Sequence, residues 1–506
     1  MARYALIAFA SVIALIIGVP FTGIVTPAFC QEPAAGEDGA QRGAAQYELL
    51  AREGFRLTKE QTASLEQALA KTPEDFDARA RLMGFYFAAG LKSLGAEPTI
   101  EARRRHILWL IANHSDSPLL GTPEATLDAR GHSLADPEGY QQAKKAWLEQ
   151  TAKRDASAAV LGNAGHYFRL PDKALAMEFY ARARKLEPGW VMMEGEVMAF
   201  AVVGIMDMND NGFPGPADLS EASSDFAKSV RQQLESTQDA ALLIVAAHHL
   251  SARGFMAQKM AEARTREKPP VDALDLAESL YKRAQVLVPC KPDCNYGLAE
   301  IYERRAMTAT SADDKAALAR ARYEQLVVAT AELPEDDPAY TRQLLDLARA
   351  GFDAGDLDRA EVLAKKLVAL APKMKQELAG TPSETDQQMK PDQRLRRMNM
   401  RWAVEQIWHH GHLLLGRVAL RRGDIEAAKT DLLEAGRLED GRNFSSSGPN
   451  MALAKELLEK GEKDTVLQYF ELCRKFWTYR GASALDSWTA AVRKGEMPNF
   501  GANLFF

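Results

Sequence analysis

The chain has 506 residues, 46 % of them hydrophobic and 26 % charged, with 34 Gly, 23 Pro and a formal net charge of −6. This composition excludes collagen-like, disulfide-framework and disordered classes, and its mild acidity offers no basic field to a phosphate backbone, so nucleic acid is not an expected partner. A single core stops growing near about 250 to 300 residues, so a chain of this length must split into domains or stack repeats.

Residues 1–30 read as an address. Arg3 supplies a positive start, an apolar run extends from Ala5 to Val19, and Pro20 breaks it, which is the layout of a secretory signal. Small residues at Thr26/Ala28 and Ala28/Cys30 allow cleavage after either Ala28 or Cys30. The rival reading is a retained anchor, because the uncharged stretch 4–29 is long enough to span a bilayer and tether the chain. Phe29 and Pro27 stand where a lipoprotein signal needs small and aliphatic residues, so lipidation of Cys30 is not expected. The expected location is periplasmic or otherwise exported, with inner-membrane anchoring as the alternative. Residues 31–45 are small, polar and aperiodic, as in a flexible linker.

From Gln46 onward the pattern is helical, with apolar residues at three- and four-residue spacing in segments such as Ala174 to Leu186 and Ala360 to Leu370. Helices this short cannot bury an apolar face alone and must stack. In one stretch Asn163, Ala164 and Tyr167 are followed by Ala176, Tyr180, Ala183 and Pro188. The small residues allow close approach, the tyrosines fill the space between, and the proline ends the second helix. The register recurs at Leu347, Ala348, Ala360, Ala364, Leu367 and Pro372, and at Leu415, Gly416, Ala419, Ala428, Leu432 and Ala435. Gly355-Asp356 and Gly423-Asp424 mark matching turns, and partial copies run Ala68, Pro73, Leu82, Tyr86 and Ala277, Tyr281, Ala284, Pro289, Leu298, Ala299, Tyr302.

These residues resemble the tetratricopeptide repeat (TPR) family. The resemblance implies an all-α, right-handed α-solenoid of TPR-like helical hairpins over 46–480, with a capping segment over 481–506. It also implies that the first helices of successive hairpins line a concave groove for a protein or peptide partner. Arg349 and Arg417 occupy equivalent places in two hairpins and are the candidate groove residues, favouring an acidic partner. The Lys and Asn clamp of chaperone-binding members is not matched, since Leu161 and Gly165 take those places. Insertions at Pro118 to Pro137, Asn209 to Pro216, Pro269-Pro270 and Gly380 to Pro391 are expected to project from one edge.

Asp207-Met-Asn209-Asp-Asn211-Gly212, with Phe213 and Asp218 following, looks like an EF-hand-type calcium loop. Oxygen donors at alternate positions converge on a cation while a glycine makes the turn. Pro214 and the short Asp218 depart from that pattern, and the alternative is an Asn/Asp/Gly-rich turn. Apart from weak Ca2+ binding at this loop no cofactor is expected. His248-His249 and His409-His410 with His412 lack a third ligand at metal spacing and read as helix-contact histidines. The oxidising compartment permits a Cys290–Cys294 disulfide, the alternative being two incidental thiols; Cys473 reads as buried. Arg103 to Arg105 and Arg394 to Arg401 read as solvated helix faces in preference to anion sites. No nucleophile elbow, phosphate-binding glycine loop or H-E-x-x-H motif occurs. The expected role is therefore an exported bacterial scaffold for protein–protein interaction and not an enzyme; the alternative is a periplasmic enzyme or carbohydrate-active protein on a helical-repeat frame.

Overall fold

The computed structural model describes residues 37–129, 133–208, 214–289, 292–333, 340–379, 391–438, 441, 444, 448–478 and 481–504. The expected leader over 1–30 and the tether 4–29 lie outside these residues. The described chain is helical, and its one β-bridge pairs Met208 with Pro214. It forms two compact units, one within Pro27–Cys290 and one within Lys291–Phe506.

The first unit runs α1 (Glu37–Gly54), α2 (Lys59–Lys71), α3 (Phe76–Ala88), α4 (Gly90–Leu94), α5 (Ala96–Asn113), α6 (Pro137–Thr151), α7 (Ala158–Phe168), α8 (Lys173–Leu186) and α9 (Val191–Val203). It continues with α10 (Leu219–Ala222), α11 (Asp225–Ser236), α12 (Ala240–His249), a π-turn at Leu250–Gly254, α13 (Phe255–Thr265) and α14 (Ala273–Leu287). The second unit runs α15 (Pro292–Thr308), α16 (Ala312–Ala329), α17 (Thr341–Ala354), α18 (Leu357–Ala379), α19 (Pro391–Arg421), α20 (Ile425–Ala435), α21 (Ala452–Glu459), α22 (Lys463–Cys473) and α23 (Gly481–Lys494). The backbone expected to be a linker over 31–45 is already helical from Glu37, where Ala40, Ala44 and Ala45 are strong helix formers.

Caps decide where these helices start. The Ser157, Asp172 and Asp424 side chains accept from the backbone amides of Val160 (3.3 Å), Leu175 (3.2 Å) and Ala427 (3.0 Å), each satisfying a donor that has no partner inside the helix. At the other end, α17 closes on Gly355 at φ 90° and the turn after α19 uses Gly423 at φ 86°, a left-handed conformation that glycine adopts without a Cβ penalty. Pro188 follows the end of α8, as its missing N–H requires. Pro372, in the same register, lies inside α18 instead. Leu370, Ala371 and Met374 around it are buried, and that burial holds the helix together across the lost hydrogen bond.

Small residues sit where helices touch. Ala164, Ala176, Ala183, Ala348, Ala360, Ala364, Ala428 and Ala435 are all at 0 % exposure, which marks them as contact points and not surface. Two alanines of the register depart from this: Ala419 is half-buried, and Ala68 is exposed while its neighbour Leu69 takes the buried position on α2. The closest approach joins α1 and α3, where a Cβ on Gly84 would fall 1.9 Å from the Ala51 carbonyl oxygen. The insertion at 118–137 turns inward: Leu119, Leu120, Ala125 and Leu127 are buried in the same core as Trp147, Tyr167 and Phe168. Asn163 Nδ2 donates to the Ser115 and Ser117 carbonyls at 3.0 Å each, and Tyr167 Oη donates to Leu127 O at 3.3 Å. Side chains of α7 thereby fasten the insertion against the fold.

In the second unit two cores share α19: Met400, Ile407, Leu414 and Val418 pack with α17 and α18, while Leu413 packs with α20 to α23. The chain's end folds back on that second core, where Phe500 is buried, Trp488 Nε1 donates to Asn499 O at 3.0 Å, and Asn503 O accepts from Met451 N at 2.7 Å.

Gly84→Ala tests the close approach. Helix propensity alone would favour alanine by about 1 kcal/mol, but the clash is with backbone, which cannot rotate away. The expected outcome is a net destabilisation of about 1–3 kcal/mol in urea unfolding.

Candidate functional site

Two clusters of ionisable side chains stand out from the apolar packing, one in each unit. In the second unit, Arg349 on α17 and Arg417 on α19 are brought to a common face through an aromatic ring. Phe352, one turn beyond Arg349, lies beneath the Arg417 guanidinium at 4.4 Å and the Arg421 guanidinium at 5.3 Å, within cation–π range. Arg417 also donates through Nε and Nη2 to Glu456 Oε1 at 3.1 and 2.9 Å. Arg349 Nη1 lies 3.4 Å from Asp346 Oδ1, and Arg322 Nη2 lies 3.2 Å from Glu303 Oε1. Burial pushes the Asp346 carboxyl up and the Arg349 guanidinium down from their ordinary values. Tyr296 on α15 joins them, its phenol pushed up to about 12 by burial and then by the Asp346 charge.

The result is a band of charged and aromatic side chains across α15, α17 and α19, with Phe352 buried and Tyr296 half-buried. Two of its carboxylates remain accessible: the side chains of Asp353 and Glu303 are 50 % and 40 % exposed. The arginines are largely committed to partners within the chain, which the register of Arg349 and Arg417 could not reveal.

Of the calcium-loop residues, Asn209, Asn211 and Phe213 lie outside the described residues. Asp207 holds the turn through its backbone oxygen, which accepts from Gly215 N at 3.1 Å. Asp218 is the N-cap of α10: its Oδ1 accepts from Ser220 N (2.9 Å) and from Ser220 Oγ (2.6 Å). These bonds, the hydroxyl's foremost, hold its carboxyl below the usual range. Among the described residues no three His, Cys, Asp or Glu side chains gather to hold a metal. Cys290 also lies outside the described residues, and Cys294 and Cys473 are buried.

The histidines are interior. His409 Nδ1–H donates to Ala435 O at 2.8 Å and its Nε2 accepts from Asn450 N at 3.2 Å, so one neutral tautomer ties α19 to the backbone on both sides. Burial pushes its imidazole down to about 4. His412 Nδ1 lies 2.8 Å from Asp431 Oδ1. Arg103 is not solvated as expected: it is 2 % exposed, with Nη2 donating to Thr126 O at 2.8 Å. The inward-folded insertion covers it. Arg104 binds Asp136, with Nε to Oδ2 at 2.8 Å, and Arg105 binds Glu66 at 2.7 Å. Glu66 also accepts from Tyr86 Oη (2.7 Å) and His106 Nε2 (2.9 Å). Burial works the other way, but the His106 hydrogen bond leads a set of partners that pull Glu66 down to about 2.

The cluster of the first unit centres on Glu196, 2 % exposed in the otherwise apolar middle of α9. Arg169, just past α7, reaches Glu196 Oε2 at 3.3 Å, and Arg253, in the π-turn, binds Oε1. Those two guanidiniums, Arg169 foremost, outweigh the opposing effect of burial and keep the Glu196 carboxyl below its ordinary value. His249 packs edge-on to Phe200 with centroids 6.3 Å apart, and burial pushes its imidazole down to about 3. The signal for this group is in the sequence: Glu196 is followed by seven apolar residues on α9, and a carboxylate on so apolar a helix must find a partner when buried.

A cavity of about 280 Å³ opens among Val202, Ala222, Lys228 and Pro270; Lys228 there pairs with Asp225 at 3.0 Å, and no pair of acids converges on it. No protein-family model matches the chain, and no curated protein matches it.

Two measurements follow. Glu196→Ala leaves two buried guanidiniums unpaired, so urea unfolding should register a loss of about 3–5 kcal/mol. His409 titrates near 4 when folded, against an ordinary 6.5, so its contribution is complete above pH 6.5 and is lost as pH falls toward 4. The stake is about 3 kcal/mol. Melting temperature of the parent should fall through that window, and His409→Asn should flatten the fall.

Proposed function

We propose that the chain is an exported bacterial scaffold of the TPR type, a right-handed superhelix of helical hairpins that binds a protein partner in the cell envelope. Support comes from the helix pairs α7–α8, α17–α18 and α19–α20, whose small residues at equivalent places are buried at the helix contacts. Recognition belongs to the second unit. The observation that carries this is an asymmetry between first helices. In α7, α9 and α12 no residue is exposed, so these helices serve as core. Around the largely covered Arg349, Phe352 and Arg417, the second unit keeps Glu303 and Asp353 at the surface beside the half-buried Tyr296, and acidic groups flanking an aromatic side chain support a protein interface there.

One further helix calls for comment. Ala240–Thr265 is long and apolar enough to cross a membrane, but 61 % of its apolar window is buried within the protein, which supports a core role for it.

Charge removal at the accessible carboxylates tests the reading. Asp353→Asn with Glu303→Gln keeps an acceptor oxygen opposite the buried Arg322, which both acids face, and should lower the melting temperature by no more than about 5 °C. The same pair should cut recovery of the envelope partner that co-purifies with the parent at least tenfold. A parent chain that purifies alone, or equal recovery by both proteins, overturns the proposal.

A further inference from the structure

The Glu196 cluster contains more hydrogen-bonding capacity than the chain uses. Four elements send polar side chains to it: Arg169 after α7, Tyr180 from α8, Glu196 from α9, and His249 with Arg253 from α12 and the π-turn. Tyr180 is at 0 % exposure and its hydroxyl has no hydrogen-bond partner; His249 is 8 % exposed and neither ring nitrogen has one; Arg169 Nε has none. Each such buried group destabilises the fold if nothing meets it. Tyr180 cannot turn away, because its ring lies against Gly165, where a Cβ would come within 2.6 Å of it, and stacks on Trp190 with centroids 6.0 Å apart.

Charge is also left over. Arg169 and Arg253 carry two positive charges against the single carboxylate of Glu196, while burial keeps His249 neutral. The neighbouring acid Glu194 does not compensate, since it pairs with Arg184 at 3.0 Å and Arg184 also binds Asp239. Water could satisfy the orphaned nitrogens and hydroxyl but would bring no charge. A monoanion would do both. The orphan groups include an N–H of Arg169, the O–H of Tyr180 and one N–H of His249, all donors. The complement to these three donors is a ligand that accepts, and a carboxylate has two oxygens with about four acceptor sites; the second His249 nitrogen, an acceptor, is left to a water. The two guanidiniums form the outer side of the cluster: the Arg169 and Arg253 side chains are 21 % and 22 % exposed, while Glu196, the Tyr180 hydroxyl and both His249 ring nitrogens are sealed from solvent, so a ligand enters past the arginines. The π-turn that carries Arg253 departs from regular helix geometry, a distortion that concentrates at functional sites.

We propose that the Glu196 cluster is a binding site for a small monoanionic carboxylate, held by Arg169, Arg253, Tyr180 and His249 and positioned by Glu196 between the two arginines. The site is separate from the partner-binding stripe of the second unit and does not depend on it.

Sodium acetate is the probe, titrated into the full chain against sodium chloride of equal ionic strength and read by calorimetry and by melting temperature. At tenfold excess over its dissociation constant, acetate should raise the melting temperature by about 2 °C, with chloride giving no such rise. Tyr180→Phe keeps the ring and removes only the orphan hydroxyl. Its melting temperature in chloride should equal or exceed that of the parent, while its affinity for acetate falls at least fivefold. His249→Phe fills the same space without ring nitrogens and serves as the second, independent variant; the same fall is expected. Absence of acetate heat in the parent, an equal response to chloride, or unchanged acetate affinity in both variants overturns the proposal.

Discussion

Everything in this protein depends on how closely two short helices can approach. A helix of three turns has one apolar stripe and cannot bury it unaided, so its stability comes from a neighbour. The neighbour comes close only where side chains are small. Gly84 against the Ala51 carbonyl, and the row of fully buried alanines from Ala164 to Ala435, are those places. Tyr167, Tyr180 and Leu367 then fill the volume beside them. Enlarging a contact residue would separate the axes and open the space those large side chains occupy.

Once helices pack this tightly, any charged group caught between them must be matched. The two units meet that demand differently. In the first, Glu196 is sealed between Arg169 and Arg253, and the first helices α7, α9 and α12 present no exposed residue. In the second, the arginines are tucked against Phe352, Asp346 and Glu456, but several of their acidic neighbours stay at the surface. The same hairpin architecture thereby supports a closed polar centre in one unit and an open mixed-charge stripe in the other.

Some of this was legible before any coordinates. Residue spacing called for helices throughout, and the capping residues Ser157, Asp172 and Asp424 stand at helix starts in the chain itself. Other readings failed for identifiable reasons. By register Pro372 should end a helix as Pro188 does, but buried packing on both sides of it outweighs one lost hydrogen bond. Arg103 was read as solvated because acids flank it in sequence; the inward fold of residues 118–137 covers it and offers the Thr126 carbonyl instead. Ala68 was placed at a contact that Leu69 takes, a shift of one residue that periodicity cannot resolve on a helix whose buried face is narrow.

The amino-acid sequence by itself determined the helical class, the places where helices begin and turn, and which alanines and glycines would lie at contacts, because propensity, capping and steric size act over a few residues. Only the tertiary structure decided which polar groups meet. Arg169, Tyr180, Glu196, His249 and Arg253 span more than eighty positions, roughly the length of two and a half TPR repeats, and their convergence depends on how four elements are stacked. Electrostatic pairing acts through space over a few ångströms, so it follows the stacking of helices, which no local pattern records.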